Sequence, residues 1–64
     1  MTALLEYRKK AGLTQKQLAE KLGVAQGAVA NWEAGDRKPN IVMLKKLAYI
    51  LGCTADELLE PIKI

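Results

Sequence analysis

In the stretch GVAQGAVANWEAG, residues 23–35, only Gln26, Asn31, Trp32 and Glu33 carry polar or aromatic functionality. Everything around them is Ala, Val or Gly. An amide such as Gln26 or Asn31 holds a donor and an acceptor side by side, which suits reversible recognition rather than covalent chemistry. Covalent chemistry is scarce elsewhere too. The chain has no His, no glycine-rich phosphate loop and no Cys/His cluster at metal-ligand spacing. Cys53 sits in LGCTADELL, where a small buried hydrophobe fits better than a reactive thiol. Asp56, Glu57 and Glu60 could be taken as paired carboxylates, yet acids in the first turn of a helix complement its dipole and need no other reason. No enzyme, cofactor, metal or small-molecule ligand is expected.

Charge is the second resource. Residues 1–38 hold Arg8, Lys9, Lys10, Lys16, Lys21, Arg37 and Lys38 against Glu6, Glu20, Glu33 and Asp36, which accounts for the whole net charge of +3. Residues 39–64 are balanced, with three charges of each sign. A basic bias in one part suits a polyanionic partner, although solvated lysines on a small protein give the same count.

These groups need a scaffold, and 64 residues allow one small domain. Half the residues are hydrophobic, a globular composition. One cysteine permits no intrachain disulfide, so packing must hold the fold, as a reducing cytosol would allow. No apolar run approaches the roughly 20 residues of a membrane span, and Met1–Thr2 opens directly into helical patterning. The expectation is a soluble, untargeted, cytoplasmic protein.

Punctuation along the chain is regular. Gly12, Gly23, Gly35 and Gly52 each follow a segment of helical period, where a C-terminal cap wants a residue tolerant of positive φ. Thr14 with Gln17 and Thr54 with Glu57 have capping-box spacing, and Asn40 precedes another apolar-periodic run. This predicts helices over 2–11, 15–22, 26–34, 41–51 and 55–60, with GDRKPN in the longest connection. Their apolar stripes are Leu4, Tyr7 and Ala11; Leu18, Ala19 and Leu22; Val29 and Trp32, with Val24 in the turn before; Ile41, Leu44, Leu47, Ala48 and Leu51; and Leu58 and Leu59. The fold class is all-α, one compact core with no strand.

Leu18, Ala19, Leu22, Gly23, Val24, Val29 and Trp32 form a pattern with physical sense. Ala19 lets its helix approach a neighbour closely, Gly23 permits a sharp turn, and Val29 with Trp32 anchors the next helix while leaving its other face outside. That is a helix-turn-helix over about 15–34, an arrangement able to offer its second helix to a DNA major groove. The run RKKAGLTQKQLAEKLGVAQGAVANWEAGDRKPNIVMLKKLAYILGCTADELL resembles the Cro/C1-type, or XRE, helix-turn-helix family of phage and bacterial repressors. The likeness covers about residues 4–59 and is most specific in GLTQKQLAEKLGV, NWEAGDRKP and LGCTADELL. It implies a five-helix, lambda-repressor-like domain over 1–64, with a short tail at 61–64. Family members usually bind pseudo-palindromic double-stranded operators as homodimers.

Carried over residue by residue, the resemblance assigns Gln26, Gly27, Ala30 and Asn31 to the groove-facing side of a recognition helix at 26–34. Gln and Asn amides can pair bidentately with adenine, a contact that discriminates by about 1–3 kcal/mol. Relatives commonly place Ser, Thr, Arg or Gln where this chain has Ala25, Gly27, Ala28 and Ala30. Few direct base hydrogen bonds are therefore expected, with specificity drawn partly from DNA shape or simply modest. Gln15 either touches phosphate or buttresses the recognition helix, and Lys16 either reaches phosphate or stays solvated. Arg37 and Lys38 fall where relatives contact the sugar–phosphate backbone, and Asn40 caps helix four with its N–H also within reach of phosphate. Arg8 and Glu33 are implied to form an internal salt bridge rather than a functional pair of charges.

Val42, Met43, Tyr49 and Ile50 fall outside the main stripe of helix four, and the tail EPIKI adds Ile62 and Ile64. Tyr49, Ile50, Leu59, Ile62 and Ile64 are the candidate homodimer surface, which would set two recognition helices about 34 Å apart. A transcriptional regulator, repressor-like and acting by occupancy alone, is the leading expectation. An antitoxin or restriction-modification controller could use the same domain. A protein-interaction module that docks a partner on the bare face of helix three is the reading from a different class.

Overall fold

In a computed structural model, of which residues 2–59 are described, the chain is five helices joined by short turns, with no strand among those residues. They are α1 (Thr2–Lys10), α2 (Gln15–Leu22), α3 (Gln26–Ala34), α4 (Ile41–Leu51) and α5 (Ala55–Leu58).

Local chemistry sets the helix boundaries. Thr14 and Thr54 each accept from the backbone N–H three residues on, while Gln17 and Glu57 reach back to accept from the Thr backbone N–H. Both are complete capping boxes. Asn40 caps α4 by accepting from the Met43 N–H at 2.8 Å. At the other ends, the residue after each glycine donates five residues back: Leu13 to the Arg8 carbonyl, Val24 to Ala19, Asp36 to Asn31 and Cys53 to Ala48. This closure satisfies carbonyls that a helix end would leave open, and it needs a left-handed residue at the cap. Gly23, at φ 75°, makes the turn between α2 and α3 so short that the two helices must pack on each other.

Leu4, Leu18, Ala19, Leu22, Val29, Trp32, Leu44, Leu47, Ala48 and Leu58 form one buried cluster to which every helix contributes. Tyr7, Val24, Met43, Ile50 and Leu51 pack against it half-buried. The resulting body has a radius of gyration of 10.6 Å, about what one compact domain of this length should have.

Three expected core residues lie outside it. Ile41 is 63% exposed, because it opens α4 at the edge of the arc centred on Leu44, Leu47 and Ala48. Ala11 is exposed because α1 ends at Lys10, one residue short of the expected boundary, and Ala11 belongs to the turn leading to Gly12. Leu59 is 56% exposed: α5 is a single turn, and a step of one residue beyond buried Leu58 leads away from the core. Among the described residues no helix is long and apolar enough to cross a membrane. The expected tail at 61–64, with Ile62 and Ile64, lies outside the described residues.

Candidate nucleic-acid interface

The interface is assembled on α3, and the core determines which side of α3 is left over. Val29 and Trp32 are buried, with Ala28 and Glu33 half-buried beside them. Gln26, Gly27, Asn31 and Ala34 are exposed and Ala30 is half-buried; by helical spacing these five lie on the opposite side. A short, almost bare ridge is thus held outward, with one amide near each end. Gly27 lies within the helix, yet a Cβ built there would meet nothing within 4 Å. The protein itself therefore places no steric demand for glycine at this position.

At its N-terminus α3 has Ala25 as the N-cap, with no side-chain capping bond, unlike α2, α4 and α5. Its orientation is instead fixed from the other side by a polar network. Arg8 donates through Nε and Nη2 to the two carboxylate oxygens of Glu33, at 2.5 and 3.3 Å. Its Nη1 donates to the Leu13 carbonyl at 2.8 Å, which also ties down the turn after α1. Both side chains of the pair are largely shielded, at 12% and 7% exposure. Removing one partner of such a pair leaves an uncompensated charge and costs about 3–5 kcal/mol. Gln15, at the start of α2, donates to Glu33 at 2.9 Å and accepts from the Gln26 amide at 3.5 Å. Its amide is thus turned inward onto α3.

The cations flank this ridge in sequence. Lys16 is exposed in the first turn of α2, next to Gln15. Arg37 and Lys38 are exposed just past Gly35, in a loop drawn back on the end of α3 by the Asp36 and Arg37 N–H groups, which both donate to the Asn31 carbonyl. Asn40 is exposed, but its side-chain oxygen is committed to the α4 cap. In α4, Tyr49 is 89% exposed and Ile50 half-buried; Ala11, Leu13 and Lys21 share an open depression with them.

The titration shifts lie away from α3. The Tyr7 hydroxyl donates to Glu57 at 3.1 Å, which ties α1 to α5. That bond, with smaller help from desolvation and neighbouring charge, raises the phenol above its ordinary value. Glu57 is held below the usual carboxylate range, first by the Thr54 backbone N–H and then by the Tyr7 and Thr54 side chains. Burial, and then the charge of Glu57, pushes the Cys53 thiol up, away from the thiolate form. The sequence reading missed the Tyr7–Glu57 tie, and a separation of 50 residues leaves no local signal for it. Among the described residues no group of His, Cys, Asp or Glu could hold a metal ion.

A helix-turn-helix family model matches residues 4–58, nearly the whole chain. The chain belongs to the Cro/C1-type helix-turn-helix family. It is 43% identical over 57 residues to the HTH-type transcriptional activator BcrR of Enterococcus faecalis, covering 89% of this chain but 28% of that protein. An uncharacterized HTH-type transcriptional regulator of Methanothermobacter thermautotrophicus is 37% identical over 51 residues, covering 80% of this chain and 74% of its own length. The HTH-type transcriptional regulator ImmR of Bacillus subtilis is 41% identical over 56 residues, 88% of this chain and 44% of ImmR. The chain therefore spans less than half the length of two of these three relatives. No solved structure matches it.

Proposed function

We propose that this chain is a sequence-specific, double-stranded-DNA-binding transcriptional regulator that lays α3 in the major groove. The observation that carries the reading is the division of α3 into a face held by Val29, Trp32 and Glu33 and an outward ridge flanked in sequence by exposed cations. Gln26, Gly27, Ala30 and Asn31 face base edges, Gln26 and Asn31 as hydrogen-bonding readers and Ala30 against a thymine methyl. Lys16, Arg37 and Lys38 contact phosphate, joined by the Asn40 backbone N–H, and set register without reading sequence. Gln15 acts as a buttress of the recognition helix, since its amide nitrogen is already donated to Glu33. The whole chain acts as one DNA-binding domain.

A homodimer on a pseudo-palindromic operator fits the family. Tyr49, Ile50 and Leu59, with Ile62 and Ile64 beyond the described residues, are its proposed contact surface; exposed Tyr49 and Leu59 support this assignment. The relatives named as transcriptional regulators support a regulatory role, and one of them is named an activator. The test is binding to random duplex between 50 and 200 mM salt. Two protomers with three phosphate-contacting cations each should lose about a thousandfold in affinity across that range. Absence of any salt-sensitive binding would instead favour a protein partner on the bare face of α3.

A further inference from the structure

Among the described residues, Ile41, Val42, Tyr49 and Leu59 are large apolar side chains left exposed. The proposed homodimer takes Tyr49 and Leu59. Ile41 and Val42, 63% and 59% exposed, belong neither to that surface nor to the ridge on α3. We propose that they form, with Lys45 and Lys46, a docking face for an acidic amphipathic helix of another protein. This surface is separate from the DNA-binding reading and stands without it.

The face follows from the helical period. Leu44, Leu47 and Ala48 of α4 are buried, with Met43, Ile50 and Leu51 half-buried beside them. At about 3.6 residues per turn, Ile41, Val42, Lys45 and Lys46 fall together on the remaining arc, and all four are exposed. Ile41 stands one turn from Lys45, and Val42 one turn from Lys46, so each aliphatic side chain has a cation as its neighbour.

The charge on this face has one sign. On α1, Lys9 and Lys10 follow Glu6 by three and four residues, and on α2 Lys16 precedes Glu20 by four. Such spacings give each of those lysines an acid on its own helix. No Asp or Glu occurs between Asp36 and Asp56, so α4 offers Lys45 and Lys46 none. The complement therefore comes from outside, and it must bring carboxylates together with apolar surface. Nucleic acid supplies the charge but nothing for Ile41 and Val42. A helix lying along α4 supplies both, its apolar stripe over the aliphatic pair and its flanking carboxylates on the lysines. The lysine stems, apolar up to the ammonium, extend the cover. An anionic bilayer shares the charge, but two aliphatic side chains at the start of one helix give it little to hold.

The probe is a synthetic helical peptide of about four turns, a leucine stripe flanked by glutamates. It is titrated without DNA into the isotope-labelled full chain, and backbone amide shifts are followed. The same peptide with lysine for glutamate, the same with serine for leucine, and vesicles containing phosphatidylglycerol are run beside it. At up to about 1 mM the glutamate–leucine peptide should shift Ile41, Val42, Lys45 and Lys46, and neither altered peptide should. The double variants Ile41→Ser/Val42→Ser and Lys45→Gln/Lys46→Gln should each bind it about tenfold more weakly. Both replace exposed residues and should melt like wild type; if one fails to fold, the other decides. No shift, shifts centred elsewhere, equal binding of the lysine peptide, or binding of the vesicles in its place overturns the proposal. A loss on random duplex from Lys45→Gln/Lys46→Gln as large as that from Arg37→Gln/Lys38→Gln also overturns it, by making these lysines phosphate contacts. So does a dimer that dissociates in Ile41→Ser/Val42→Ser, which gives the aliphatic pair to a second copy of the chain.

Discussion

On one side of α3, Val29 and Trp32 are sealed in the core and Glu33 is clasped by Arg8; on the other, Gly27 and Asn31 stand in solvent and exposed Gln26 donates to Gln15. The same nine residues therefore answer to two different demands. The inner face fixes where the helix lies, and the outer face is left to whatever meets it. Such a division lets a substitution on the exposed outer face change recognition without disturbing the core, whereas one on the inner face lowers stability and takes recognition with it. The glutamines are the exception, since through them the inner ion pair reaches the outer ridge.

The inner face should give the largest effect. Truncating a buried tryptophan costs about 3–5 kcal/mol, whereas a domain of this length holds roughly 3–10 kcal/mol in total. Trp32→Ala is expected to abolish or severely lower the cooperative melt followed by circular dichroism, and DNA binding with it. A variant that melts like wild type would remove Trp32 from the core and collapse the contrast between the faces.

Gln26→Ala tests the outer face. It should leave the melting temperature unchanged and relax preference at one base position per half-site, a loss of about 1–3 kcal/mol on the preferred site. Competition between selected and single-base-altered duplexes measures this. An unchanged selected motif would mean that Gln26 does not read.

How much of this division was legible in the chain depends on how local its causes are. Thr14, Gln17, Asn40, Thr54 and Glu57 announce the starts of α2, α4 and α5, because capping chemistry acts over three residues. Val29 and Trp32 follow from helical spacing, and the outer face follows by subtraction. Ile41, Ala11 and Leu59 show the limit: at the ends of helices, period alone does not say which turn a neighbour covers. The Arg8–Glu33 pair could be expected only from the family, since its partners are 25 residues apart. The onward bonds to Gln15 and Gln26 depend on how α1, α2 and α3 meet in space.

Gly27 sharpens the comparison by separating the two properties within one residue. Replacing a mid-helix glycine by alanine gains about 1 kcal/mol of helix stability, and here the new methyl meets nothing within 4 Å. Gly27→Ala should therefore melt higher than wild type. If the backbone of α3 approaches a base or phosphate closely at this point, the same methyl should weaken DNA binding. Higher stability with lower affinity would mark Gly27 as kept for the partner. Higher stability with unchanged affinity would withdraw it from the interface.

The smallest expected effect lies away from α3 and shows what an exposed tie contributes when no core surrounds it. Tyr7→Phe removes the hydroxyl bonded to Glu57 but keeps the ring over which Lys10 sits, 5.5 Å from its centroid. Glu57 is depressed by folding, so its contribution is full above the ordinary carboxylate value and fades as pH falls through the lowered one. Tyr7 is raised, so its contribution is full below the ordinary phenol value and fades as pH rises through the raised one. The stability difference between wild type and Tyr7→Phe should accordingly be greatest near neutrality and shrink at both ends. Thr54 still caps Glu57 in the variant, so both proteins lose that share of acid stability together and it cancels from the difference. Denaturant melts from about pH 3 to 11 measure the profile, a range chosen to bracket both ordinary values. A flat difference would show that the Tyr7–Glu57 bond adds nothing to folding, leaving α1 and α5 joined through the core cluster that buries Leu4 and Leu58.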